Sequence, residues 1–386
     1  MTSQTLSLAK DYRHEFADFE GVAYFNAASQ APLPLVAATA AEEALEWKKH
    51  PYRLPDALYF DLPDRIREKI ARMIGARPSE IAVTTGASSG MACVAAGIDW
   101  KPGDEVLIGK GEFPAHFSTW LRYQQAGKLR TRIVEPRGRF ITADDYVAAI
   151  DSHTRVVTAS LVRFDNGALL DAAPVARACE KVGAAFLVDL SQCAGAMRIS
   201  IRDLGATMAV CSGYKWLLGP YGTGFFWIAE EWIERLPLGA TYFAALEGAR
   251  DLHSMPSRDF RVAPGARRWD SAETANFTNL AAFDASLDLL ERIGAENVQR
   301  CVDALTNQVI ECIPRHRLSL ASPEPRVRRG PYVCVAARDP NETRALYDRV
   351  RAAQTHLSLR ENALRIAPYI YNTSDEISRL LDILKS

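Results

Sequence analysis

The chain is short of cysteine, short of lysine and without an excess of either charge. Seven cysteines, at 93, 179, 193, 211, 301, 312 and 334, are scattered over 386 residues with no CxxC pair and no Cys/His ligand spacing. That excludes a disulfide framework and a structural metal ribbon, and leaves reduced, mostly core thiols as the expectation. Forty-six Lys plus Arg stand against 47 Asp plus Glu, a formal charge of −1, so the basic surplus of a dedicated nucleic-acid binder is missing. No window approaches the ~18 consecutive apolar residues of a membrane span, and the opening MTSQTLSLAKDYRHEFADFE has no apolar stretch behind a basic one. A cytoplasmic protein with no membrane and no nucleic-acid partner is therefore expected. Internal repeats and low-complexity segments are also absent. What remains is an ordinary globular composition, 48% hydrophobic and 24% charged, long enough for two or three domains.

Between about residues 80 and 228 short apolar runs alternate with helical patterns. Strands are expected at 81–85, 105–108, 132–135, 155–162, 185–189, 208–211 and 224–228, with helices at 88–98, 115–125, 142–150 and 173–182. Thr142 and Asp145 have the spacing of a capping box at the start of the third helix. Such alternation implies a mostly parallel, doubly wound sheet whose ligands sit beyond the carboxyl ends of the strands. After residue 230 the alternation stops. A Pro-, Gly- and Arg-rich loop is expected over 252–268, followed by an amphipathic helix at 279–293 and another at 295–313. A strand at 332–336 and helices at 342–352 and 374–384 complete a small α+β region.

Three segments carry chemistry. VTTGASSGMACVAAG, from Val83 to Gly97, follows a strand and opens a helix, so its amides and helix dipole offer an anion site. TGASSG is also similar to a dehydrogenase nucleotide loop, but Ala92 stands where a third glycine is expected and no Tyr-xxx-Lys pair occurs in the chain. In FLVDLSQCAGAMRIS, Asp189 ends an apolar strand, where a carboxylate can pair with a cationic ring nitrogen or simply cap a turn. In MAVCSGYKWLLGPYGTGFFWI, Lys215 sits in a Ser-Gly-Tyr-Lys turn and is the only lysine between Lys181 and Lys385. An amine among Val210, Trp216, Leu217 and Leu218 is a candidate nucleophile for an aldehyde cofactor, with a solvated surface charge as the alternative.

In order and spacing these pieces resemble the pyridoxal 5′-phosphate (PLP) enzymes of aminotransferase class V, the group of cysteine desulfurases, selenocysteine lyase, kynureninase and isopenicillin N epimerase. The resemblance runs from YFNAASQAPLP at Tyr24 to LRIAPYIYNT at Leu364. It implies an α/β fold of type I, with a mostly parallel, doubly wound seven-stranded sheet in a large PLP-binding domain (29–295) and a smaller α+β domain (1–28 with 296–386). On this resemblance Lys215 carries PLP as a Schiff base and shuttles the Cα proton, Asp189 keeps the pyridine nitrogen protonated, and Gln192 bonds near the ring O3′. Ser88 and the Ala87 amide hold the phosphate with Ser212 and Tyr214, and Phe113 stacks on the ring. RRWDSAETANF resembles a stretch whose threonine reaches the phosphate of a neighbouring subunit. Thr274 is the candidate there, and a homodimer with shared active sites is implied. Arg365 is the choice for the clamp on a substrate α-carboxylate, with Arg360 second and a surface ion pair as the plain alternative for both.

Two departures bear on the reaction. Desulfurases need a mobile cysteine near the C-terminal arginine, and the stretch from Val335 onward has none. Phe164 stands where desulfurases carry an Asn, which fits the epimerase-like or lyase-like branches better. Arg163 beside it has two readings, a substrate contact or a surface turn. The resemblance thus implies chemistry at the Cα of an amino acid or amino-acid conjugate, leaning to β-elimination of the C–S lyase type, with aminotransferase and epimerase as alternatives. A PLP-binding scaffold without turnover is the alternative from another class.

Overall fold

A computed structural model of the chain describes residues 12–238, 241–253 and 260–385. The amino-terminal residues read above for a leader, 1–11, lie outside the described residues, as do 254–259 of the loop expected over 252–268.

Seven strands form one sheet in the order Ile81–Thr84, Gly224–Ile228, Met208–Ser212, Ala185–Asp189, Thr154–Ser160, Glu105–Gly109, Arg130–Val134. All neighbours run parallel except those of Gly224–Ile228, which is antiparallel to both strands beside it. The apolar runs seen in the sequence hide a strict alternation. Leu107, Val157, Phe186, Val188, Ala209 and Phe225 enter one core, while Val106, Ile108, Val156, Leu187, Val210 and Phe226 enter another across the sheet. Both faces are covered by helices, so both are apolar, as parallel sheets require.

A second sheet is wholly antiparallel, in the order Ser358–Arg360, Ala363–Ile366, Val333–Ala337, Leu318–Leu320. Its core side meets the helices Ala295–Cys312, Pro340–Ala352 and Ser374–Lys385. The amino-terminal Ala23–Tyr24 pairs in parallel with Thr355–His356, so the two ends of the described chain meet here.

The helix expected over 115–125 is two, Ala115–Ser118 and Leu121–Gln125. Thr119 Oγ1 donates to the Ala115 carbonyl at 2.8 Å, competing with the backbone ladder, and Trp120 turns fully inward against Trp100. The helix Phe277–Ile293 is less amphipathic than expected. It lies between Leu35–Lys49 and Leu58–Ile74, two helices that the strand-and-helix reading passed over, and so buries Asp284 and Ser286 as well as its apolar residues.

Candidate active site

Ala87, Ser88, Asp189, Gln192, Ser212, Tyr214 and Lys215 lie at or just past the carboxyl ends of strands of the large sheet, while Arg360 and Arg365 lie on strands of the small sheet. The turn after Ile81–Thr84 leads into the helix Ala87–Gly97. Gly86 has φ +148°, a backbone region closed to other residues, and a Cβ on Gly90 would come within 2.5 Å of Val210 Cγ1. These two glycines let the helix start hard against the strand ends. Ala87 N–H donates to Ser212 Oγ at 3.2 Å, and Ser88 is exposed at the helix start. The first-turn amides of a helix have no intrahelical acceptor and favour an anion. Tyr214, half-buried, stacks on Tyr221 with centroids 4.5 Å apart.

Lys215 is 7% exposed, which excludes the surface-lysine reading. Its Nζ lies 5.5 Å from the centre of the Phe113 ring and 5.6 Å from that of Tyr214. Burial lowers its pKa, and the Arg365 and Arg360 guanidiniums push the same way against the pull of Asp189. A lysine so placed carries a larger uncharged fraction than one in water. Phe113 is exposed and meets Phe164 edge to face at 5.4 Å.

Asp189 ends the Ala185–Asp189 strand, buried, with Oδ1 accepting the Ser191 N–H at 2.8 Å. Burial raises its pKa, but His116 and Lys215 outweigh that and hold it below the ordinary carboxylate range. Ser191 Oγ in turn accepts the Ser212 N–H at 2.9 Å, tying the aspartate turn to the strand that leads to Lys215. Gln192 is engaged on both sides, donating to the Ala28 carbonyl at 2.9 Å and accepting from Trp216 Nε1 at 3.2 Å.

Arg365 is 2% exposed, which overturns the surface-ion-pair reading. Its Nη1 donates to the Phe164 carbonyl at 2.9 Å and its Nη2 to Ser29 Oγ at 2.6 Å, while Nε has no partner. Among the described residues no carboxylate lies within ion-pair distance of it. Arg360, by contrast, is exposed at the tip of the small sheet. Burial excludes the surface-turn reading of Arg163. It is 4% exposed and ion-paired to Asp165 at 3.1 Å and Glu112 at 3.3 Å. Thr274 is 6% exposed, just before the helix Phe277–Ile293.

The sequence reading missed a buried cluster beneath Asp189. Glu112 accepts both the N–H and the O–H of Ser160, at 3.0 and 2.7 Å, and His116 lies one helical turn on, 0% exposed. The i, i+4 spacing of Glu112 and His116 was the one available signal.

The chain belongs to the aminotransferase class-V family, whose model matches residues 24–380. A probable cysteine desulfurase of Methanothermobacter thermautotrophicus is 28% identical over 97% of each chain. The isopenicillin N epimerase of Streptomyces clavuligerus is 27% identical over 94% of each. In fold, the chain is similar to a C-DES mutant with glycine covalently linked to its PLP cofactor, at a TM-score of 0.84 and 21% identity over 96% of this chain and 98% of that one. The cystine C–S lyase C-DES in complex with its product cysteine persulfide gives the same TM-score at 20% identity, over 94% and 97% of the two chains.

Proposed function

We propose that the protein is a PLP-dependent enzyme acting at the Cα of an amino acid or amino-acid conjugate, with β-elimination of the C–S lyase type as the favoured outcome. The observation that carries this reading is a pair of buried cationic side chains, Lys215 just past a strand of the large sheet and Arg365 on a strand of the small one, with Arg365 near enough to lower the lysine's pKa. Lys215 is an amine with a lowered pKa, and Arg365 is a guanidinium with no carboxylate partner among the described residues. An unpaired buried charge is costly, and a ligand carboxylate would relieve it.

The residues present fit the cofactor. A glycine-shaped helix start faces Ser212, a carboxylate held ionised lies at a strand end, and the ring of Phe113 borders the lysine. PLP when bound supplies an electron sink for the electrons left on Cα. Ser88 and the Ala87 amide, with Ser212 and Tyr214, would hold its phosphate. Asp189 would hold a proton on its ring nitrogen, and the second amide hydrogen of Gln192 would point at its oxygen. Lys215 would anchor it and then take the Cα proton at Nζ, while Arg365 would fix the substrate carboxylate so that the departing bond faces the sink.

The cysteine opposite Arg365 speaks against persulfide transfer. Cys334, opposite Arg365 in the small sheet, is fully buried and its thiol is pushed up to about 12 by that burial. A thiol so protonated is a poor nucleophile. Elimination needs no such thiol. Transamination and epimerisation use the same residues up to the loss of the proton and are separated from elimination only by product. A large domain of 29–295 with a small domain of 1–28 and 296–386, and a cytoplasmic homodimer, belong to the same proposal.

The test is an absorbance spectrum of the purified protein before and after borohydride, with peptide mapping of the adduct, then titration with amino acids and cysteine conjugates. A yellow chromophore trapped on Lys215 and release of pyruvate support the reading. A keto acid or an inverted amino acid selects the alternatives. A colourless protein that PLP cannot reconstitute overturns it.

A further inference from the structure

The buried cluster touches Asp189 and is closed to solvent. His116 sits in the short helix Ala115–Ser118, and its imidazole is enclosed on every side. Nδ1 is 2.7 Å from Thr158 Oγ1. Nε2 is 3.3 Å from Ser160 Oγ, 3.6 Å from Asp189 Oδ2 and 3.9 Å from Glu112 Oε2. The ring thus stands between two buried carboxylates that are unequally provided for. Glu112 already has two donors on Ser160 and the Arg163 guanidinium at 3.3 Å. Asp189 has a backbone N–H on Oδ1 and, for Oδ2, the imidazole.

We propose that His116 is a positioning residue for Asp189, a buried imidazolium that fixes the direction of the Oδ2 lone pairs and keeps the carboxylate ionised beneath the cofactor ring. The inference rests on the PLP reading above. Two buried carboxylates that flank one ring nitrogen at 3.6 and 3.9 Å cannot both stay ionised without a cation between them. Arg163 serves Glu112, and Lys215 is reserved for chemistry on the other side of Asp189, so the cation shared by both carboxylates is His116. Its charge state agrees with this role. Burial alone would discharge the ring, but Glu112 and Asp189 outweigh it and raise its pKa. The groups that face the ring are Glu112 before its own helix, Thr158 and Ser160 on the Thr154–Ser160 strand, and Asp189 on the next strand, with Arg163 behind Glu112. A plain core histidine would be satisfied by Thr158 and Ser160 alone and would not need two acids.

The test uses His116→Gln, which keeps an amide donor but not the charge, and His116→Leu, which keeps neither. Both are reconstituted with PLP, and two quantities are read: the PLP dissociation constant, and the pH midpoint of the bound cofactor's visible band between pH 5.5 and 9.5. Removing a nearby positive charge makes other protonated groups hold their protons more firmly. The midpoint should therefore rise by about one unit in both variants, with PLP held about tenfold more weakly. Both PLP-free variants should melt lower than the wild type, since each leaves two buried carboxylates without their shared cation. The pH midpoint of the band, which a loss of packing alone does not move, separates charge from packing, and His116→Gln decides the matter if His116→Leu does not fold. A His116→Gln protein with wild-type PLP affinity and an unshifted band overturns the inference and leaves the cofactor reading standing. A wild-type protein that takes up no PLP overturns both.

Discussion

Arg67 and Arg365 are buried to nearly the same degree, 5% and 2% exposed, yet they are satisfied in opposite ways. Arg67, on the helix Leu58–Ile74, meets Asp270 in a fork, with Nη1 to Oδ1 at 2.9 Å and Nη2 to Oδ2 at 2.7 Å, and Asp270 Oδ1 also accepts the Val83 N–H at 2.8 Å. Arg365 has a serine hydroxyl and a carbonyl, and no carboxylate among the described residues. Burial of charge by itself is therefore uninformative. What separates a strut from a binding group is whether the protein supplies the counter-ion, and at Arg365 it does not.

The largest effect that sharpens this contrast is on turnover. Lys215→Ala should lower turnover by at least about 10⁴-fold while PLP still binds non-covalently and thermal stability is kept, checked by steady-state rates beside a melting curve. Retained activity would remove the mechanism. Next comes Asp270→Ala, which removes the fork from Arg67 and leaves it only Asp64, at 3.3 Å from Nε, and should cost about 3 kcal/mol of stability in denaturant melts. Arg365→Ala should do the reverse, weakening substrate binding by about 2–5 kcal/mol while leaving stability unchanged or raised. If Arg365→Ala lost stability and kept substrate affinity, the two arginines would be of one kind and the carboxylate site would lie elsewhere.

Much of this was legible in the sequence because the chemistry follows strand ends. Asp189 and Lys215 each close an apolar run, and a doubly wound sheet brings those ends to one edge. The strand alternation was hidden, since Val157 and Val156 face different cores but are equally apolar. Arg163 could not be assigned from its own segment, because Glu112, one of the carboxylates that neutralise it, comes from a distant loop. His116 carried only its i, i+4 spacing from Glu112, because its other partners sit on two strands brought together by the sheet order. The helix Leu58–Ile74 did carry a signal in Leu62, Ile66, Ile70 and Ile74, a four-residue spacing that marks a buried face.

The smallest predicted effect concerns Asp145, which inverts the arrangement at Arg365. It is a carboxylate, 5% exposed, held by the Thr142 N–H and O–H at 2.8 and 2.9 Å and by Arg137 Nε at 2.8 Å, the capping box that the spacing predicted. Burial raises its pKa, but the Arg137 and Thr142 donors prevail and bring it from 3.8 to about 2. A depressed carboxylate contributes stability that is present above its unfolded value and lost as pH falls through the folded one, here between about pH 4 and pH 2. Asp145→Ala should therefore cost about 1 kcal/mol at neutral pH, measured by denaturant melts, and the gap from wild type should close toward pH 2. Asp145 is a buried charge whose donors all come from its own chain, so it awaits nothing, and cofactor and substrate affinities should not move. If the gap stayed open down to pH 2, the cap would be acting through packing. Counting the partners of a buried charge would then fail as a guide to which charges are kept for ligands, at Arg365 as much as at Asp145.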